Sequence, residues 1–218
     1  MYAVEKQVLK EKIKDKKIIS ITGTEGLEKS IVTLNLANNL KNLSQKILII
    51  DFDILNNNLE KILNVNKYSK KISNKLQKNN LINNKIKIKN LTIRINKKVD
   101  LISGINLIFD KNYKISSEKI KFILNELKKY YNVIIIDTSY ECFFDYTKNI
   151  LNNSDYILFI SEGNLLEIKK EKNLLKIYTE EWKIKKEKIK IIKNNKKINN
   201  WLKKGSGKNE FTKRNNRQ

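Results

Sequence analysis

Several apolar runs along the chain constrain its fold more than any other feature. They are rich in isoleucine, leucine and valine, and they are apolar continuously rather than at alternate positions. Such runs, separated by helical patterns, are typical of parallel strands buried on both faces of a sheet. We therefore predict an α/β fold: a mostly parallel, twisted sheet with helices on both faces. The runs lie at 46–54, 132–139, 155–162 and, in a shorter form, 188–194.

Aspartates stand where two of these runs end. Asp51 and Asp53 close the first run, and Asp137 lies near the end of the second. Ligands of parallel α/β sheets bind at the carboxyl ends of the strands. One aspartate there would be an ordinary turn residue, but three of them arriving at one edge favour a ligand site.

A glycine-containing turn follows the short apolar run at 17–21 and opens a helical pattern. Its sequence at 23–30 is GTEGLEKS, which fits the phosphate-loop spacing G-x-x-x-x-G-K-[ST] at Gly23, Lys29 and Ser30. In such a loop, backbone N–H groups at a helix N-terminus surround a phosphate chain. The lysine neutralises the phosphates, and the hydroxyl binds Mg²⁺. The turn therefore predicts a nucleotide-binding fold.

Two glutamates oppose that function within the same turn. Glu28 stands where the spacing requires glycine, and Glu25 adds a second carboxylate. At about 5 Å and an effective dielectric of about 20, each contact between a carboxylate and a phosphate charge costs on the order of 3 kcal/mol. We therefore expect weakened phosphate binding.

The order of these motifs resembles the MinD/ParA family of deviant P-loop ATPases. The resemblance covers roughly residues 16–195 and implies a P-loop NTPase fold with ATP and Mg²⁺ as cofactors. It rests on GTEGLEKS at 23–30, IIDFDI at 49–54, IIIDTS at 134–139 and SDYILFISE at 154–162.

The resemblance also implies a role for each site residue. Lys29 would be the phosphate-binding lysine and, with Asp53, would serve catalysis, since Asp53 would orient the attacking water. Ser30 would bind Mg²⁺ directly, and Asp51 and Asp137 would bind it through its waters. The residues implied to contact the nucleotide are Gly23, Thr24, Gly26, Lys29, Ser30 and Asn194, of which Asn194 would contact the adenine.

Some positions depart from the family pattern. Thr24 replaces the signature lysine that would reach the partner's nucleotide in a dimer, while Glu25 and Glu28 replace two loop glycines. Ser139 and Glu141 replace the proline and glycine of the family's D-[ST]-P-x-G switch. These departures predict a weak nucleotide switch with doubtful hydrolysis.

Three functions follow from the resemblance and its departures. The first is a nucleotide-dependent switch that dimerises with ATP and positions or regulates a membrane- or pole-associated machine, such as a division, flagellar, pilus or secretion assembly. The second is a catalytically dead scaffold of the same family. The third is a ParA-like, non-specific DNA binder that acts through surface lysines.

The charge of the chain leaves the third function open. The formal net charge is +23, with 46 Lys and Arg against 23 Asp and Glu. A basic surface attracts nucleic acid and anionic membranes, but a biased genome that favours lysine codons gives the same composition. The basic residues are nearly all lysine and lack interleaved aromatic residues, which argues against recognition of bases.

The chain divides into three predicted parts. Residues 1–15 form a helical leader, which packs on the domain or lies on a membrane surface, 16–202 form the nucleotide-binding domain, and 203–218 form a basic disordered tail. The chain has no histidine, and Cys142 is its one cysteine, so histidine metal sites, catalytic triads and internal disulfides are excluded. Without a long apolar segment, we expect a cytoplasmic protein, at most peripheral at the membrane.

Three longer helices and one further strand are predicted beside these runs, and residues 64–98 are expected to hold a short helix near 69–76 and short strands near 86–88 and 91–95. A helix over 30–43 places Leu34, Ala37 and Leu40 inward, and another is capped by Ser116 or Ser117. In that second helix, Ile120, Ile123, Leu124 and Leu127 face inward. The third helix spans 165–182, and the further strand spans 99–104.

Overall fold

A computed structural model of the protein describes most of the predicted nucleotide-binding domain. The described residues are 16–23, 28–41, 45–53, 58–65, 92–103, 117–139, 145–161 and 165–193. The predicted leader and tail lie outside them, as do Thr24, Glu25, Gly26, Glu141, Cys142, Asn194 and the side chain of Glu28.

The strands form one sheet in the order β3-β4-β2-β5-β1-β6-β7. β3 is antiparallel to β4, and every other neighbouring pair is parallel. This arrangement confirms the predicted α/β fold. The strands are β1 (Lys17–Gly23), β2 (Ile47–Phe52), β3 (Ile93–Arg94), β4 (Val99–Ile102), β5 (Val133–Thr138), β6 (Tyr156–Ser161) and β7 (Ile189–Lys193).

The described helices connect these strands. The predicted helix over 165–182 is α-helical only to Lys176 and continues as a π-helical turn, Ile177–Glu181. A 3₁₀ turn, Lys186–Lys188, precedes β7. The α-helices are α1 (Glu28–Lys41), α2 (Asn58–Leu63), α3 (Ser117–Lys128), α4 (Asp145–Asn152) and α5 (Leu165–Lys176).

Apolar side chains on both faces of the sheet hold it between the helices. Because successive strand residues point to opposite faces, Ile49 and Ile135 pack with α1, whereas Ile50 and Ile136 pack with α3 and α4. The inward residues predicted for α1 and α3 are buried, except Ile123, which is partly buried. A third cluster packs α5 and its π-helical turn on β6.

The register of the central strands brings the predicted site together. Asp137 of β5 lies beside Asp51 of β2 on one side and beside Ile21 of β1 on the other. We call the carboxyl ends of the parallel strands the carboxyl edge, and the opposite ends of these strands the amino edge. None of the helices in the described part of the chain is long and apolar enough to span a bilayer.

Candidate functional site

The site begins where β1 ends at Gly23. The backbone of Gly23 has φ of +151°, a conformation that residues with a side chain rarely adopt. A Cβ atom at this position would lie 2.3 Å from the carbonyl oxygen of Ile160 on β6. Only glycine fits at this position, because the end of β1 runs so close to the backbone of β6 that a side chain would have no room.

Lys29 and Ser30 lie in the first turn of α1, whose backbone N–H groups have no partner within the helix. Both residues are buried, with 2% and 1% of their surface exposed. The hydroxyl of Ser30 donates a hydrogen bond of 2.6 Å to Oδ2 of Asp137. This bond joins the helix that follows the glycine turn to the end of β5.

The three predicted aspartates are buried at the same edge. The backbone N–H of Asp53 donates to Oδ1 of Asp51 over 3.1 Å. Within the described residues, Oδ2 of Asp51 and Oδ1 of Asp137 are buried and have no hydrogen-bond partner. Buried polar atoms are rarely left unpaired in native structures, so these two oxygens indicate a place for a ligand.

Burial controls the protonation of the aspartate pair. Burial raises the pKa of Asp137 to about 7, against the opposing effects of the Ser30 hydrogen bond and the Lys29 charge. Burial and the neighbouring charge of Asp137 also raise the pKa of Asp51. A cation placed beside this pair would favour the ionised carboxylates and would release protons as it bound.

Glu60 is a site residue that the sequence did not reveal. It lies on α2 and accepts a hydrogen bond of 2.5 Å from the hydroxyl of Ser103, which follows β4. The charge of Glu60 also contributes to the raised pKa of Asp51, after burial and the charges of Asp137 and Asp53. The only signal was the spacing of Leu59, Ile62 and Leu63, which is helical but short.

The donor set fits Mg²⁺ bound partly through water. No group of three or more histidine, cysteine or acidic side chains among the described residues could hold a metal by itself. Mg²⁺, however, prefers oxygen ligands, keeps several of its waters and shares its coordination with substrate phosphates. One hydroxyl, from Ser30, and the two unpartnered carboxylate oxygens suit such an ion.

Six of the predicted site residues share the carboxyl edge: Gly23, Lys29, Ser30, Asp51, Asp53 and Asp137. Their roles with nucleotide and metal stay predictions. Thr24, Gly26 and Asn194 lie outside the described residues, and their contacts stay predictions too.

Comparison with known proteins gives the same architecture. A family model described as an AAA domain matches residues 16–191. No curated protein matches the sequence significantly.

Three solved structures resemble this chain. The ParA family ATPase of Chlorobium tepidum TLS has 20% identity, with 84% of this chain and 77% of that chain covered and a TM-score of 0.64. A plasmid partition protein of Borrelia burgdorferi B31, bound to AMPPNP, has 23% identity, 89% and 82% coverage and a TM-score of 0.60. The MinC:MinD cell division complex of Aquifex aeolicus has 20% identity, 87% and 73% coverage and a TM-score of 0.60. These likenesses show the fold.

Proposed function

This chain belongs to the MinD/ParA-like P-loop ATPases with an AAA domain, and from that premise we propose that it binds Mg-ATP at the carboxyl edge as a weak nucleotide switch. The observation that carries the proposal is the hydrogen bond between Ser30 and Asp137, beside the unpartnered oxygen of Asp51. It places a hydroxyl from the helix after the glycine turn next to the paired carboxylates.

Each site residue has one role in this proposal. Lys29 neutralises the phosphates, and Ser30 contributes its hydroxyl to Mg²⁺, which supplies positive charge to the phosphate oxygens. Asp51 and Asp137 would hold the metal through its waters, and Asp53 would orient a water molecule. Gly23, Thr24 and Gly26 would let the backbone approach the phosphates, and Asn194 would contact the adenine.

The glutamates of the turn make the switch weak. Glu25 and Glu28 add negative charge beside an anionic ligand, and Thr24 cannot supply a cation to a second copy of the chain. We infer that Mg-ATP binding, rather than rapid hydrolysis, carries the signal. The Aquifex aeolicus MinD occurs in a complex with MinC. By analogy, the nucleotide-bound form of this chain would dimerise and engage a membrane- or pole-associated assembly.

A thermal-shift titration with Mg-ATP tests the proposal. At an ATP concentration of 100 times Kd, binding stabilises the protein by about 2.7 kcal/mol. Ser30→Ala should reduce the shift, because the hydroxyl that faces Asp137 is lost. Lys46→Ala at the amino edge is the matched control and should leave the shift unchanged. If millimolar Mg-ATP produces no shift in the wild-type protein, the switch is ruled out and the chain is better described as a catalytically dead scaffold of the same family.

A reverse substitution tests the cause of the weakness. The double variant Glu25→Gly, Glu28→Gly should bind Mg-ATP more tightly, by up to about a hundredfold for each relieved charge contact of about 3 kcal/mol. The measurement is the Kd from calorimetric titration of Mg-ATP into both proteins. An unchanged Kd would show that these carboxylates are not the limiting defect.

A second candidate function, sequence-independent binding of nucleic acid, is favoured by a row of lysines at the amino edge. The Nζ atom of Lys16 lies 3.4 Å from the carbonyl oxygen of Lys129, and that of Lys98 lies 3.3 Å from the carbonyl oxygen of Lys41. These contacts hold the side chains of Lys16 and Lys98 close to the end of the sheet. We define the lysine row as Lys16, Lys46, Lys98, Lys128, Lys129 and Lys188.

The row crosses the sheet from the loop before β4 to the turn before β7. Lys188 Nζ lies 2.9 Å from the carbonyl oxygen of Ser154, and Lys46 Nζ lies 4.9 Å from the ring centre of Tyr131. Because its members are lysines, whose charge is a single point, the row suits contacts with phosphates rather than bidentate recognition of bases.

Fluorescence anisotropy with duplex DNA tests this second function. Binding should weaken steeply as salt increases, because lysine–phosphate contacts release counterions. The triple variant Lys16→Gln, Lys46→Gln, Lys129→Gln should lose most of the affinity and flatten the salt dependence. Lys169→Gln, Lys170→Gln, Lys172→Gln removes equal charge from α5 and is the control. If both triple variants lose the same amount of DNA affinity, the binding depends on net charge alone, and the lysine row is not a specific binding surface.

A further inference from the structure

A buried tyrosine contacts the residue that precedes the glycine turn. Tyr178 lies in the π-helical turn after α5, and its hydroxyl is 3.0 Å from Oγ1 of Thr22 on β1. Both residues are fully buried. Since Thr22 is followed directly by Gly23, the contact joins the π-helical turn to the last part of the strand before the proposed phosphate loop.

The ring of Tyr178 is held on two sides. It stacks on Trp182 with ring centres 5.0 Å apart, and it meets Phe159 edge-on at 6.2 Å. Phe159 lies beside Thr22 in the register of β6 and β1. A ring fixed in this way places its hydroxyl on Thr22 with little freedom to move.

The backbone around Tyr178 departs from the regular helix. The N–H of Trp182 donates to the carbonyl oxygen of Ile177, five residues earlier, over 2.9 Å, and the N–H of Ile184 donates to the carbonyl oxygen of Tyr178 over 2.9 Å. A π-helical turn is rare and is frequently found at functional sites. Here it occurs where the side chain reaches across the sheet face to β1.

We propose that Tyr178 is a positioning residue for the phosphate-binding turn, acting through its hydrogen bond to Thr22. This inference rests on the proposed Mg-ATP site. Gly23 adopts an unusual backbone conformation against Ile160, and the bond fixes the strand residue immediately before it. Gly23, from which the turn begins, is thereby held in place before a phosphate arrives, and less order must be gained on binding.

The first test compares two tyrosines that each lose one buried hydroxyl. Tyr178→Phe removes the bond to Thr22, while the control Tyr131→Phe removes a bond of 2.8 Å to Asp100, near the amino edge. Without nucleotide, Tyr131→Phe should lose at least as much stability as Tyr178→Phe, because its hydroxyl donates to a buried carboxylate. Calorimetric titration should show Mg-ATP binding weakened about fivefold to tenfold by Tyr178→Phe alone, the effect of about one hydrogen bond. Thr22→Val, which removes the other hydroxyl of this bond, should weaken Mg-ATP binding by the same factor. Thr22→Ser, which keeps a hydroxyl, should bind Mg-ATP like the wild-type protein.

The second test needs no nucleotide. Hydrogen–deuterium exchange of the peptide that covers residues 20–30 should become faster in Tyr178→Phe and stay unchanged in Tyr131→Phe. If the wild-type protein binds Mg-ATP and Tyr178→Phe binds it equally, with unchanged exchange, Tyr178 has only a packing role and the inference is wrong. If the wild-type protein does not bind Mg-ATP, the proposed function is wrong, and the exchange data alone decide whether Tyr178 orders the turn.

Discussion

The two edges of the sheet are built from the same strands but carry opposite chemistry. The carboxyl edge buries Asp51, Asp53 and Asp137 beside Lys29, and burial raises the pKa of two of these carboxyl groups. The amino edge carries the lysine row, whose members are exposed or half-buried. An exposed charged side chain costs little free energy and can be replaced by another with little effect on stability. A buried charged group, by contrast, requires specific partners. The comparison therefore favours the carboxyl edge as the place of the proposed ligand.

The largest expected difference between the edges is at the two ends of β1. Gly23→Ala at the carboxyl edge should destabilise the protein by about 4 kcal/mol, because the added Cβ would overlap the carbonyl oxygen of Ile160 and the backbone conformation is strained. Lys17→Ala, at the amino edge of the same strand, should change stability by less than about 1 kcal/mol. Urea denaturation measures both. Equal effects would contradict the close approach at Gly23.

The next largest difference concerns pH. The pKa of Asp137 in the folded protein, about 7, lies above the unfolded value, so the folded state binds the proton more tightly. Its contribution to stability is full below about pH 4 and is lost as the pH rises to about 7. Asp137→Asn should remove this loss and stabilise the metal-free protein by a few kcal/mol at pH 8, because each pKa unit corresponds to about 1.4 kcal/mol.

Urea denaturation at pH 5 and pH 8, with a chelator present, measures the effect. Ser154→Ala is the control from the amino edge. Its hydroxyl bonds only to Ser20 and to the carbonyl oxygen of Ile150 among the described residues, and neither of these groups titrates. This variant should be destabilised equally at both pH values. A wild-type stability that rises between pH 5 and pH 8 relative to Asp137→Asn would contradict the raised pKa.

The smallest expected effect is at the exposed side of α3. Glu126 pairs with Lys129 over 2.5 Å, and the side chain of Lys129 is largely in solvent, while that of Glu126 is 36% exposed. Glu126→Gln should cost less than about 0.5 kcal/mol at low salt, and nothing measurable at 0.5 M salt because of screening. Chemical denaturation at the two salt concentrations gives the comparison. A loss above about 1 kcal/mol would show that charges near the amino edge are as constrained as those at the carboxyl edge.

The sequence predicted the sheet because its signal is local. Each buried strand is a continuous apolar run, and the aspartates and the glycine turn follow such runs directly. The topological rule for parallel sheets then places these residues at one edge without further information. The register of β1, β5 and β2 confirms that placement.

The sequence did not predict α2 and α4 because both helices are short. In α4, Tyr146, Ile150 and Leu151 are buried at helical spacing, but eight residues give too few repeats to separate a helix from a loop. The π-helical turn continues the inward pattern of α5, since Leu174 and Tyr178 are both buried, and so periodicity cannot reveal it.

Contacts between distant segments also lay beyond the sequence. Glu60 meets Ser103, and Tyr178 meets Thr22, across long stretches of chain. Neither pair has a characteristic spacing, because each depends on how one helix lies across the sheet. The sequence therefore predicted the residues that follow the strands, but not those that hold them in place.

The central position of β1 has a consequence for biosynthesis. Lys17 pairs with Val133 on one side of the strand, and Ile19 pairs with Tyr156 on the other. Of the described strands, β1 leaves the ribosome first, and its edges stay unpaired until β5 and β6 have been translated. Pairing between such distant segments is slow, and exposed strand edges invite aggregation. β1 gains its second partner strand only when β6, which ends at Ser161, has emerged, and until then one edge of β1 stays open to pairing with other chains.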